Sequence, residues 1–222
     1  LSPTEVSQAV TFADEADTAN ALVDGLKKRG ADAVVVLIHQ GGRTTGEPDP
    51  NGCEGLNAEI RGILDRPDPR VDLVVSGHTH WAYVCDYGRY NAQKPFLLTS
   101  GGLWGEIVTD ITLEIDPVAN RVVAKRARNI AVQSVPHRGA LGEVTVSPDH
   151  PRFEPRADIA AYVGRYVGAA QAFAQRKVGT LAGPAQKADG KLRNTGGPLG
   201  NLVADAQLAA TTGAGAQVAF VN

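Results

Sequence analysis

Two short apolar runs constrain this chain more than anything else in it. Ala33-Val34-Val35-Val36-Leu37-Ile38 opens into His39-Gln40-Gly41-Gly42, and Val71-Asp72-Leu73-Val74-Val75 opens into Ser76-Gly77-His78-Thr79-His80. Runs this short and this rich in β-branched residues read as strands buried on both faces, as in parallel sheets. Between them, Gln40 to Cys53 is rich in Gly, Pro, Thr, Asp and Asn and reads as a long functional loop. Glu54 to Asp65, with Leu56, Ile60, Ile63 and Leu64, reads as a helix, and Arg66-Pro67-Asp68-Pro69 breaks it. Strand, helix, strand predicts a βαβ unit with a right-handed crossover. Both histidine-bearing ends then lie at the carboxyl edge, where open α/β sheets hold ligands.

That placement predicts a metal centre. In extended chain His78 and His80 point to one side, and Gly77 lets the backbone approach what they hold. His-x-His alone is weak, because histidines also serve in cores and loops; His39 at a matching strand end raises its weight. His137 and His150, in a Pro-rich segment, read as solvated loop residues. Three neutral imidazoles suit one zinc with an open position, whereas a two-metal site normally needs a bridging carboxylate. Asp32 and Asp72 sit at strand starts, the wrong edge of the sheet. Asp86 and Glu106 have no support from pattern. Either the site takes one metal, or its carboxylates lie in sequence that these 222 residues do not contain.

Residues 14–29 read as an amphipathic helix with Ala16, Ala19, Leu22, Val23 and Leu26 on one stripe, acidic at its start and basic at its end, with Gly30 as its stop. Phe96 to Thr99 reads as a short strand leading into Ser100-Gly101-Gly102. Ile107 to Ile115 and Arg121 to Val132 form a predicted hairpin, residues 133–154 are loop-like, and 157–176 is the best helix. Val178 to Ala182 is a further expected strand, Leu199 to Ala210 a helix, and Gln217 to Asn222 a last strand.

A net charge of −2 carries no footprint of a nucleic-acid polymer as partner, and no apolar run approaches the ~20 residues of a transmembrane segment. The start at Leu1 and the lack of any Met read as an internal piece of a longer product. Cys53 and Cys85 are either two unrelated thiols or a disulfide across the mouth of the site, which would imply an oxidising compartment. Their loop-like surroundings suit a staple better than a core.

Residues 11–115 resemble the second half of the metallophosphoesterase domain of secreted bacterial 5′-nucleotidases, within the calcineurin-like superfamily. Thr11-Phe12, the Gly30-Ala31-Asp32-to-His39 strand with its Gln40-Gly41 exit, Gly77-His78-Thr79-His80 and Ser100-Gly101-Gly102 carry the resemblance. Pro198-Leu199-Gly200-Asn201-Leu202-Val203-Ala204-Asp205-Ala206 is similar to the opening of that family's C-terminal, nucleotide-binding domain. The resemblance implies an α/β fold. Residues 1–152 would be the C-terminal half of a four-layer α/β sandwich, with a βαβ unit plus antiparallel strands. Residues 153–177 would be a linker helix, and 178–222 the start of a second α/β domain.

It also implies hydrolysis of nucleotide phosphoesters with two divalent metal ions, His80 serving one and His39 and His78 the other. The family's Asp-x-His, bridging Asp and Asn-His motifs are absent, so the catalytic histidine is expected upstream of Leu1, and the missing remainder of the protein is a partner. The expected place is extracellular, periplasmic or in the cell wall. A nucleoside 5′-monophosphate is the leading substrate and a 2′,3′-cyclic nucleotide its rival. A metallo-β-lactamase-like hydrolase would want Asp and His soon after His-x-His, where this chain has Trp81-Ala82-Tyr83-Val84. A secreted metal-binding module without catalysis is the non-enzymatic alternative.

Overall fold

In the computed structural model residues 10–45, 49–139, 142–187 and 197–221 are described. The opening Leu1–Glu5 and the final Asn222 lie outside them. The chain divides into two compact units, Leu1–Arg156 and Ala157–Asn222. The first is mixed α/β and holds the predicted site.

Helix α1 (Glu15–Lys28) starts where charge and capping direct it. The Asp14 carboxylate accepts the Asp17 N–H at 3.0 Å, Glu15 and Asp17 occupy the first turn, and Lys27 and Lys28 the last. Gly30, at φ 86°, turns the chain into β1 (Val35–Ile38). Arg66 grips both oxygens of Asp14 at 2.7 and 2.8 Å and reaches Asp17 at 2.8 Å, tying the start of α1 to the segment after α2 (Ala58–Leu64). The Arg66 hydrogen bond, and then the Asp17 N–H, hold the Asp14 carboxyl below its ordinary value.

Strand β2 (Leu73–Ser76) runs parallel to β1, with Val36 opposite Val74, so the predicted βαβ unit is present. Asp72, just before β2, accepts the Val34 N–H at 2.9 Å and stands 3.8 Å from Lys125. A carboxylate at the amino edge of the sheet is thus used to fix strand register. Strands β3 (Ala82–Asp86) and β4 (Leu97–Gly101) complete a sheet of order β1-β2-β4-β3. β4 is parallel to β2 and β3 is antiparallel to β4. β3 lies where the sequence showed only the residues after the motif, its alternation too short to stand out.

Val74, Leu98, Tyr83 and Cys85 share one face of this sheet and pack with Val23 of α1, Leu56, and Ile60 and Leu64 of α2. β5 (Ile107–Asp116) and β6 (Arg121–Ala131) form the predicted hairpin, which contacts β3 and β4. Along the opposite face burial falls from the centre to the edge: Thr99 of β4 is 0% exposed and Leu37 of β1 is 78% exposed. Residues 133–154 are less irregular than their prolines imply, since β7 (His137–Gly139) pairs antiparallel with β8 (Gly142–Val144).

In the second unit the predicted helices appear as α3 (Ala157–Ala174) and α4 (Pro198–Thr211), the latter with Pro at its first position. The strands expected over Val178–Ala182 and Gln217–Asn222 are absent: residues 178–182 and 217–221 are irregular. A strand exists by exchanging backbone hydrogen bonds with a neighbour, and neither segment has one among the described residues. Among the described residues no helix is long and apolar enough to cross a membrane.

The turn after α2 carries a pH-sensitive contact. Arg70 donates to Asp68 through Nε at 2.8 Å and Nη2 at 2.6 Å, and this pairing holds the Asp68 carboxyl down at about 2. The folded value lies below the unfolded one, so the contribution is present above about pH 4 and lost as pH falls toward 2. Asp68→Asn is expected to flatten that part of the acid denaturation curve followed by circular dichroism. An acid limb identical to wild type would remove the assignment.

Candidate metal centre

His39 directly follows β1, and His78 lies two residues beyond β2. Parallel pairing of Ile38 with Ser76 sets the two exits side by side at the carboxyl edge. There the two imidazoles meet: His39 Nε2 and His78 Nδ1 are 3.2 Å apart, and the rings lie edge to face with centroids 5.0 Å apart. Both side chains are at the surface.

His80 is placed differently from the expectation. Extended chain does not continue past Ser76: His78 and His80 have φ of 71° and 61°, in the left-handed region. That conformation costs a residue with a Cβ roughly 1–2 kcal/mol and breaks the alternation by which His78 and His80 would share a side. Non-glycine residues held there in succession gather at functional sites. His80 and His78 line one cavity of about 450 Å³ together with Gln40, Gly41, Arg43 and Glu59. His39 borders a separate hollow against α1. Among the described residues no three His, Cys, Asp or Glu side chains converge to hold a metal.

The two exits are stitched to each other. Gly77 N–H donates to Gln40 O at 3.3 Å, and Thr79 Oγ1 donates to Gly42 O at 2.8 Å. Gly41 sits so close beneath this turn that a Cβ there would overlap the Gly77 carbonyl oxygen. Gly42 N–H donates to the buried Tyr83 hydroxyl at 3.0 Å. Trp81 donates from Nε1 to Thr44 at 2.8 Å, and the Arg43 guanidinium lies 5.4 Å from the Trp81 ring centre. Tyr83, Arg43 and Trp81 carry no mark in the sequence: Ala82-Tyr83-Val84-Cys85 is apolar throughout, and only its burial alternates, with Tyr83 and Cys85 inward.

The pair fits half a cation's donor set. Two nitrogens bound to one metal at ordinary lengths and angles lie about 3–3.4 Å apart, which spans the observed separation. Taking up a cation through these two nitrogens asks that both present a lone pair, the contact between them giving way to the metal. The carboxylates weighed in the sequence do not join them. Asp72 is engaged with β1, and Asp86 Oδ1 accepts the Gly88 N–H in the turn that follows β3.

Cys53 and Cys85 are joined as a disulfide. Its position differs from the mouth of the histidine site. Cys85 is fully buried in β3, and Cys53 lines another cavity, of about 710 Å³, with Asp49, Glu54, Asp86, Arg89 and Tyr90. The bond fastens the far end of the 40–53 loop to the sheet, and Asn51 reinforces it by exchanging bonds of 2.7 and 3.1 Å with the Asn129 backbone.

No family model matches the sequence. It is 26% identical over 202 residues to "Endonuclease YhcR" of Bacillus subtilis (strain 168), covering 90% of this chain and 14% of that protein. It is 26% identical over 216 residues to "Cell wall protein Lmo0130" of Listeria monocytogenes serovar 1/2a, covering 94% of this chain and 25% of that protein. The chain thus spans a minor part of the length of these curated relatives.

Proposed function

We propose that this chain is part of a metal-dependent hydrolase of nucleotide phosphoesters, working outside the cytoplasm or at the cell wall. The observation that carries the reading is the 3.2 Å contact of His39 and His78 at the carboxyl edge of β1 and β2. The likeness to a protein named as an endonuclease supports phosphoester chemistry, and the likeness to a protein named for the cell wall supports the location. The disulfide agrees with an oxidising compartment.

In this reading His39 and His78 hold one divalent ion and His80 belongs to a second. Such ions supply Lewis acidity to water and to the phosphoester oxygens. Gly41 and Gly77 keep the backbone close beneath the histidines, and Arg43 adds a fixed positive charge in the wall of the cavity. In this reading the bridging carboxylates and the general acid come from protein outside these 222 residues; among the described residues no three His, Cys, Asp or Glu side chains converge to hold a metal. Residues 1–152 are then the second half of the phosphoesterase domain, 153–177 a linker helix, and 178–222 the start of a nucleotide-binding domain.

The leading substrate is a nucleoside 5′-monophosphate. A phosphodiester, such as a 2′,3′-cyclic nucleotide, is the second reading, and the relative named as an endonuclease favours it. The protein encoded by the complete gene, assayed on both classes with added zinc or manganese, is expected to release phosphate or open the diester. The 222-residue chain alone is expected to show little turnover. Ordinary enzymatic rates from that chain alone would overturn the division of the site, and no hydrolysis by the complete protein would overturn the function.

A further inference from the structure

We infer that Tyr83 is a positioning residue that fixes the spacing of His39 and His78; this rests on reading those two as a metal-binding pair. Tyr83 is fully buried in β3, yet its hydroxyl reaches both exit turns. It accepts the Gly42 N–H at 3.0 Å, three residues after His39, and lies 2.7 Å from Ser76 Oγ, two residues before His78.

The direction of this chain of bonds follows from proton counting. Ser76 has one hydroxyl proton and donates it to Thr99 O at 2.9 Å. In the Ser76–Tyr83 contact Tyr83 is therefore the donor, because Ser76 has no second proton to offer back. The sequence runs one way: Gly42 N–H to Tyr83, Tyr83 to Ser76, Ser76 to the backbone of β4. Ser76 is 8% exposed and Thr99 is fully buried, so water offers little replacement. The Gln40–Gly77 and Thr79–Gly42 bonds join the exits to each other. The Tyr83 chain also anchors that joined pair to the sheet.

Removing the hydroxyl leaves a buried Gly42 N–H without its acceptor, and the turn must shift to find another. His39 and His78 ride on those turns. A group that orients metal ligands from behind typically changes metal affinity 10–100-fold when removed.

The test uses the 222-residue chain and two measurements: nuclear Overhauser contacts between the His39 and His78 ring protons without metal, and titration with zinc. Tyr83→Phe is expected to abolish the ring contact and weaken zinc binding by about 10–100-fold. Thr109→Val removes a hydroxyl bonded to Asn129 at 2.7 Å and is expected to keep both, which separates positioning from general loss of stability. A wild-type ring contact in Tyr83→Phe, or its loss in Thr109→Val as well, would overturn the inference. Should Tyr83→Phe fail to fold, Ser76→Ala takes its place: loss of the ring contact supports the inference and retention overturns it. Absence of zinc binding in the wild-type chain would remove the metal reading alone, and the metal-free ring contact would still decide the role of Tyr83.

Discussion

Replacing His78 by Ala is expected to lower the zinc affinity of the 222-residue chain by at least about tenfold, and phosphoester hydrolysis by the complete protein by about 100-fold or more. Both effects have one cause. His39 and His78 are each other's contact at 3.2 Å, and with one gone the other is a single surface imidazole that holds a cation poorly. The fold has little stake in either ring. His78 is exposed, and the ties between the exits run through Gln40, Gly42, Gly77 and Thr79. The melting temperature should therefore barely move. His39→Ala should match His78→Ala. His80→Ala should leave the titration of this chain unchanged, because His80 does not join the pair. Wild-type zinc affinity in His78→Ala, measured by isothermal titration calorimetry, would remove the ligand assignment.

The largest effect on stability is expected from the disulfide. Cys53 and Cys85 are 32 residues apart, and closing a loop of that length restricts the unfolded chain by about 3–4 kcal/mol at 25 °C on the chain-entropy account. In the folded state Cys85 belongs to the buried cluster and Cys53 packs against it, so replacing both with Ala also removes contact area. Near the disulfide the loop is also anchored by the Asn51–Asn129 exchange, the Thr45 N–H to Glu54 O bond at 2.8 Å, and the Tyr90 hydroxyl on the Cys53 carbonyl. Urea denaturation of the double variant, followed by fluorescence, reads this directly, because Trp81 and Trp104 both lie in the first unit. A loss below about 1 kcal/mol would mean that those anchors hold the loop unaided.

What was legible in the sequence was legible for physical reasons. β1 and β2 stand out because both are apolar throughout, as strands buried on both faces must be; β2 is so buried, whereas β1, at the edge of the sheet, leaves Val35 and Leu37 exposed on one face. α1 stands out because its apolar spacing and its terminal charges agree, although of the expected stripe Ala16 and Val23 are buried and Leu22 is exposed. The meeting of His39 and His78, 39 residues apart, followed from two strands ending alike. The geometry of His78 and His80 did not follow, since left-handed backbone at two histidines is set by the surrounding turns and leaves no mark on alternation. β3 was missed because five residues after a loop carry too few repeats to show a period. The last apolar segment, Gln217 to Val221, has the composition of a strand and no partner to make it one among the described residues. Composition identifies what can pair; only a neighbour makes it do so.

The close passage of Gly41 beneath the Gly77 carbonyl has a consequence for which residues can vary. Any side chain at position 41 would drive the two turns apart before it touched a ligand, so the smallest residue is imposed there by geometry alone. Replacing His39 or His78 would leave this steric demand untouched, since glycine at position 41 is needed to bring the strand exits together whatever the exits carry. Glycine there is required by the architecture, whereas the two imidazoles are required only by the metal binding proposed above.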